Sequence, residues 1–351
     1  MRLYANTRML SHPITGVQRY LLSILQHTPA DIEVIRISAN AKGIKGHLWE
    51  QLVLPTKAGN NLLWSPANTG PLFVKNQLVT VHDTVFIDHP EWLNPRFCGW
   101  YRFLVPPLAF PMLARRVSKI IAVSNFTKQR VLSICKVPEA KVHVVHNGVD
   151  PRFARALESQ IALARKSLGI SEGQYILALA TLEPRKNLRR LMQAWEGIVK
   201  SIPDDIWLVV AGMEAPKRIY ASARLDSVPQ RVHFTGRVPD DLLPALYSGA
   251  MITAYPSLYE GFGLPVLEAM ACGCPVLTSN TTALPEVAGN AALLVNPYDV
   301  SEIADSLLKL VFDEYLRTEL SEHGLKWARH FSWQRAADKT FKILRQEVSG
   351  L

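Results

Sequence analysis

The chain has 351 residues, 48% hydrophobic and 20% charged, with a net charge of +9. That length favours two buried cores over one, and no uninterrupted apolar run approaches the roughly 18 residues needed to cross a bilayer. The opening MRLYANTRML is polar where a signal peptide would be apolar, and Cys98, Cys135, Cys272 and Cys274 lack zinc-like or disulfide-like spacing; a reducing, cytoplasmic setting is expected.

RLYAN (2–6) is the first predicted strand. HPITGVQRYLLSIL (12–25) follows, with Val17, Tyr20, Leu21, Ile24 and Leu25 on one helical face and Gly16 just ahead of it. Backbone N–H groups at such a glycine can approach phosphate oxygens, although an ordinary turn uses the same residue. Further strands are predicted at 32–38, 61–65, 77–83, 119–124 and 141–148. Several are apolar without alternation, as in parallel strands covered by helices on both faces.

Residues 1–150 hold 17 Lys and Arg against 8 Asp and Glu, whereas 151–351 are balanced at 22 each. A basic half suits nucleic acid or an anionic membrane. FCGWYRFLVPPLAFPMLARR (97–116) has five aromatics, is interrupted by Pro106, Pro107 and Pro111, and ends in Arg115 and Arg116. Apolar groups beside cations suit the bilayer interface; a buried helix pair with solvated arginines fits the same residues.

A second series of strands is predicted at 175–182, 206–213, 231–237, 251–257, 275–280 and 291–297. Two successive β/α series imply an α/β chain of two doubly wound domains. The expected division is 1–160, then 161–330, with 331–351 a final helix packing back toward the first domain. Ligands of such folds bind beyond the carboxyl ends of the strands, here the cleft expected between two facing domains.

In ATLEPRKNLRRLMQAWEGIVKSI (180–202), Leu188, Leu191, Met192, Trp195, Ile198 and Val199 share a helical face, and Asn187 is a plausible N-cap. Arg185 and Lys186 then precede a helix N-terminus, where two cations are unfavourable unless an anion lies beside them. YEGFGLPVLEAMACGCPV (259–276) places Gly261 and Gly263 next to a helix opened by Pro265. Glu260 falls in that glycine loop and Glu268 one turn inside the helix. With a loop between them, both carboxylates can face one hydroxylated ligand.

These segments together resemble the retaining GT-B glycosyltransferases of family 4. The family's E-x7-E motif matches Glu260 to Glu268, its basic pair matches Arg185 and Lys186 in EPRKN, its N-terminal glycine loop matches Gly16 in TGVQRY, and its strand-end histidine matches His82 in VHD. HNGVD (146–150) and SNFTK (124–128) also look like its usual segments. Thr15 stands where many members carry a second glycine.

The resemblance implies transfer of a sugar from a nucleotide-sugar donor to a hydroxyl with retained configuration and no obligatory metal or cofactor. It assigns Glu268 to the ribose hydroxyls, Glu260 and the backbone of Gly261, Phe262, Gly263 and Leu264 to the donor sugar, Arg185 and Lys186 to the leaving diphosphate, and His82 to the sugar or the reacting centre. HDTVFIDHPEWLNP (82–95) resembles members that transfer mannose in bacterial surface polysaccharides. That favours GDP-mannose and a lipid-linked or oligosaccharide acceptor met at the inner face of the membrane, with UDP-glucose or another UDP-hexose as the competing donor. A nicotinamide dehydrogenase lacks its G-x-G-x-x-G here, a nucleotide-sugar epimerase would need no acceptor, and a nucleic-acid binder would not explain two glutamates beside a glycine loop.

Overall fold

The computed structural model describes residues 1–11, 15–41, 43–92, 99–170, 173–179, 183–212 and 229–349, without the side chains of 99–106, 348 and 349. Of the segments read above, 12–14, 93–98, 171–172, 180–182 and 213 lie outside the described residues. The chain forms two compact units, Met1–Gly148 with Phe331–Leu351, and Val149–His330. The break falls at 148/149 rather than at 160, because the intervening stretch packs on the second unit: the Phe153 ring meets Tyr247 edge-on at 6.0 Å, and the Ala156 N–H donates to Ser248 Oγ at 2.9 Å.

Among the described residues, twelve strands form where the predicted runs lie: β1 Arg2–Asn6, β2 Glu33–Ile37, β3 Leu63–Ser65, β4 Gln77–Val81, β5 Lys119–Ala122, β6 Val142–Val144, β7 Gln174–Leu179, β8 Ile206–Ala211, β9 Val232–Gly236, β10 Ile252–Tyr255, β11 Val276–Ser279 and β12 Leu293–Val295. They make two six-stranded sheets, ordered β2-β1-β3-β4-β5-β6 and β12-β11-β10-β7-β8-β9. Every pairing is parallel. A parallel strand inside the sheet is covered on both faces, which is why several of these runs, IWLVVA of β8 among them, read as continuous apolar stretches.

In the first unit, Val79, Val81, Ile120 and Ala122 pack on Phe110, Leu113 and Ala114 of the helix Gly99–Arg116. That helix corrects the expectation of a segment broken at its prolines, since it runs through Pro106, Pro107 and Pro111. An interior proline removes a donor and costs about 3 kcal/mol; burial of Phe110, Leu113 and Ala114 offsets it. The last helix, Trp333–Ser349, packs on the helix Gly16–Gln26, with the Trp333 and Tyr20 rings 6.0 Å apart. In the second unit, Ile176, Leu208 and Val210 pack on Leu191, Met192, Trp195 and Ile198 of the helix Leu188–Ile198, the face that its periodicity predicts.

Candidate active site

The order of the second sheet puts β7 and β10 side by side while their following strands run outward in opposite directions. This is the topological switch point, where loops at the carboxyl ends diverge and leave room for a ligand. Between β7 and the helix Leu188–Ile198, residues Pro184–Lys186 form a tight turn. After β10 comes the 256–263 loop. The two loops are knitted together: the Leu258 N–H donates to the Arg185 carbonyl at 2.7 Å.

Glu260 is the hub of this junction. It is only 6% exposed, and a buried carboxylate must find several donors to stay ionised. Lys186 Nζ lies 2.6 Å from its Oε1 and Arg185 Nη1 2.8 Å from its Oε2. Tyr255 Oη donates to Oε1 at 2.7 Å, and Ser257 Oγ lies 2.8 Å from both that oxygen and the Arg185 carbonyl, sharing its one hydrogen. Burial works against the charge, but the Lys186 and Arg185 cations outweigh it and hold the Glu260 pKa down to about 2. The anion expected beside the two cations is therefore supplied first by the chain itself. Arg185 also pairs through Nε with the half-exposed Glu183.

Asn187 corrects the N-cap expectation. It occupies the cap position, but in the left-handed region (φ 57°, ψ 27°) and without a side-chain cap bond. Its Nδ2 instead donates to the carbonyls of Pro256 at 2.9 Å and Pro297 at 2.6 Å, fastening the ends of three crossovers. That bond set holds Lys186, its neighbour, in place.

Gly263, the residue before the helix Leu264–Ala271, has φ 113° and ψ 50°. The positive φ demands glycine, and a Cβ there would lie 2.7 Å from Leu284 Cδ2, so that side chain would have to shift. Gly261 and Phe262 are buried, while Leu264 and Pro265 are partly exposed. Pro265 occupies the first turn, as its fixed φ allows. Glu268 follows at the fifth position of the helix, 7% exposed, with Tyr247 Oη donating to its Oε2 at 3.1 Å. Glu260 and Glu268 are thus the ends of one loop-helix element.

His82 directly follows β4 in the first unit. Its N–H donates to Asn68 Oδ1 at 2.7 Å, and its Nε2 faces the Pro66 carbonyl at 2.8 Å. That carbonyl fixes the proton on Nε2 and leaves Nδ1 as the acceptor. Burial lowers the ring's pKa to about 4. Gly16 opens the helix Gly16–Gln26, and Tyr20, one turn on, meets the His82 ring edge-on at 4.8 Å. Thr15, extended at φ −126° and ψ −174°, tolerates a side chain; its N–H donates to Gln18 Oε1 at 3.0 Å.

Residues 160–327 match the family described as Glycosyl transferases group 1, and residues 63–153 match Glycosyltransferase Family 4. Over 98% of its length the chain is 31% identical to the whole of the O-antigen chain mannosyltransferase B of Escherichia coli. The chain belongs to the group 1, family 4 glycosyltransferases. The serotype-specific mannosyltransferase WbdA of Escherichia coli is 34% identical over 63% of this glycosyltransferase, a match spanning 28% of that longer protein. The fold is that of GT-B enzymes: Anabaena Alr3699/HepE, solved with UDP and glucose, superposes with a TM-score of 0.77 at 17% identity over 99% of this chain and 100% of that one. WaaG, a glycosyltransferase involved in lipopolysaccharide biosynthesis, gives 0.73 at 16% over 98% and 99%.

The structure brings Arg185, Lys186 and Glu260 of the glycosyltransferase into direct contact and sets Glu268 on the helix leaving the same loop. Gly16 and His82 share a neighbour, Tyr20, in the first unit. Sequence reasoning missed Tyr255, Ser257 and Tyr247. Tyr255 and Ser257 carried a signal, since both lie at the carboxyl end of an apolar strand; Tyr247 lies in an unremarkable helix and carried none.

Proposed function

We propose that the enzyme transfers mannose from GDP-mannose, with retention of configuration, to a hydroxyl of a lipid-linked or oligosaccharide acceptor in surface polysaccharide synthesis. The observation that carries the transfer chemistry is the Arg185–Lys186–Glu260 cluster at the switch point of the second sheet. As the glycosidic bond of a nucleotide sugar breaks, negative charge grows on the diphosphate. Fixed cations at the leaving oxygens lower that barrier without reorganising. Arg185 and Lys186 fill this role in place of a divalent ion, and Glu260 keeps them from collapsing onto other partners before the donor arrives.

Glu268 accepts from the ribose hydroxyls, oriented by Tyr247. The donor sugar lies against the backbone of 261–264. Glu260 has a larger part than the sugar contact first assigned to it, because Lys186, Tyr255 and Ser257 converge on its Oε1 and Arg185 pairs with its Oε2. His82 acts as a neutral ring, accepting through Nδ1 from a sugar or acceptor hydroxyl. Mannose rests on the relatives named for mannosyl transfer, and a lipid-linked acceptor places the enzyme at the cytoplasmic face of a membrane. No helix among the described residues is long and apolar enough to cross one.

A UDP-hexose donor is the second reading, favoured by the UDP and glucose bound to the HepE neighbour. Thermal shift with GDP, GDP-mannose, UDP and UDP-glucose separates them, because a ligand that prefers the folded state raises its melting temperature. Stabilisation by the guanine pair alone supports GDP-mannose; stabilisation by the uracil pair alone replaces it. Transfer that persists in EDTA supports the metal-free reading, and loss restored by magnesium or manganese rejects it.

A further inference from the structure

Tyr20 carries a hydroxyl where packing alone asks only for a ring. It lies on the apolar face of the helix Gly16–Gln26 and is fully buried, and burial lifts its phenol pKa to about 12. A phenylalanine would fill the same space with no polar group to satisfy. The Tyr20 hydroxyl lies 3.2 Å from Thr80 Oγ1, which also accepts from Trp64 Nε1 at 3.1 Å. Thr80 stands in β4 two positions before His82, and alternation along a strand gives the two side chains the same face of the sheet. Tyr20 therefore grips that face twice, with its hydroxyl at Thr80 and with its ring at His82.

The contact with His82 is the closest that the Tyr20 ring makes to these three rings. Its centroid lies 4.8 Å from that of His82 at an interplanar angle of 82°, against 6.3 Å for Trp64 and 6.0 Å for Trp333. All three neighbours meet it edge-on, so it cannot turn without displacing one of them. The helix that carries it is pinned at its start as well. Gln18, 7% exposed, donates from Nε2 to the Met9 carbonyl at 3.1 Å and accepts the Thr15 N–H at 3.0 Å. By contrast, the Pro66 carbonyl holds one corner of the imidazole, Nε2, at 2.8 Å. A single hydrogen bond leaves a ring free to swing about it, and a second, edge-on aromatic neighbour removes that freedom.

We propose that Tyr20 is a positioning residue for the transfer step: its ring sets the plane of the His82 imidazole, which keeps Nε2 on the Pro66 carbonyl and presents Nδ1 as the acceptor. The hydroxyl, tied to Thr80 and through it to Trp64, fixes where that ring sits. The proposal rests on the reading of His82 as a neutral acceptor for a sugar or acceptor hydroxyl. It adds what holds the imidazole in one tautomer and one orientation, and a group that must meet a hydroxyl in the transition state loses rate steeply when it is displaced.

Three variants of the full chain test it. Tyr20→Met fills most of the volume without a ring, Tyr20→Leu is a second ring-free variant should the first fail to fold, and Tyr20→Phe keeps the ring without the hydroxyl. The ring-free variants are expected to lower kcat about tenfold or more, and Tyr20→Phe to recover most of that loss even though its melting temperature also falls. Nitrogen-15 NMR of labelled histidine, with the His82 signal identified by its absence from His82→Asn, should show the Nε2–H tautomer in wild type and Tyr20→Phe. A mixture of tautomers is expected in the ring-free variants. In a His82→Asn background, Tyr20→Met should lower kcat no further. An unchanged tautomer in a folded ring-free variant overturns the proposal, as does a Tyr20→Phe variant that loses as much turnover as Tyr20→Met. An equal loss from Tyr20→Met with and without His82 overturns it too, since a merely structural role would act in both backgrounds. Wild-type turnover in His82→Asn rejects the reading of His82 instead, and the tautomer in the ring-free variants still decides the positioning.

Discussion

Lys186 and Glu260, 74 positions apart in the chain, meet at 2.6 Å between the ends of two adjacent parallel strands. The pair joins the cation that would face a leaving diphosphate to the first glutamate of the motif, so neither residue can be changed without altering the other.

The first prediction separates their catalytic and structural parts. Arg185→Ala or Lys186→Ala should lower turnover about a hundredfold, the roughly 3 kcal/mol lost with one preorganised donor. Lys186→Ala should also lower the melting temperature, because breaking a buried pair costs about 3–5 kcal/mol when no partner remains, and less here with Arg185, Tyr255 and Ser257 still serving the carboxylate. Lys186→Met with Glu260→Gln should recover the melting temperature without recovering turnover. Near wild-type turnover in both single variants would remove the cations from the mechanism.

The two glutamates should respond differently. Glu268→Gln is expected to weaken bare nucleoside diphosphate and nucleotide sugar alike, since both carry the same ribose hydroxyls. A division giving Glu260 the sugar alone predicts unchanged diphosphate affinity in Glu260→Gln. Direct contact with Arg185 and Lys186 predicts instead that this variant changes diphosphate affinity and loses thermal stability. Calorimetric titration with diphosphate alone decides between the two.

Glu183 competes with an incoming anion for Arg185. Its side chain is half-exposed, and such pairs contribute about 0.2–1 kcal/mol. Glu183→Gln should therefore tighten diphosphate binding by up to about fivefold. Weaker binding in this variant would show that Glu183 positions Arg185 rather than competing with the ligand.

Acid should destabilise the enzyme through two groups. The Glu260 pKa is held down to about 2 from 4.5 by the neighbouring cations, against the opposing effect of burial. Its contribution is present above pH 4.5 and is lost as pH falls through the folded value, because the unfolded chain takes the proton first. Burial lowers His82 from 6.5 to about 4, so the unfolded state also binds its proton first, and stability falls between those values. Urea unfolding from pH 7 to 4 should show a smaller loss in His82→Asn than in wild type. Equal pH slopes in the two proteins would reject the depressed His82 pKa.

The sequence by itself determined the two parallel sheets, because strands covered on both faces are apolar without alternation, as several of the runs are, IWLVVA of β8 among them. It also determined where Glu260, Glu268, Arg185, Lys186, Gly16 and His82 fall, at strand ends or at helix starts, since punctuation by glycine and proline is local. Tertiary structure alone decided which of these groups meet. Strand order brought β7 beside β10, and that adjacency paired Lys186 with Glu260 and recruited Tyr255 and Ser257, contacts that no local periodicity encodes. The same holds for Asn187, whose left-handed backbone turned an expected cap into a staple, and for Tyr247, which reaches Glu268 from another helix.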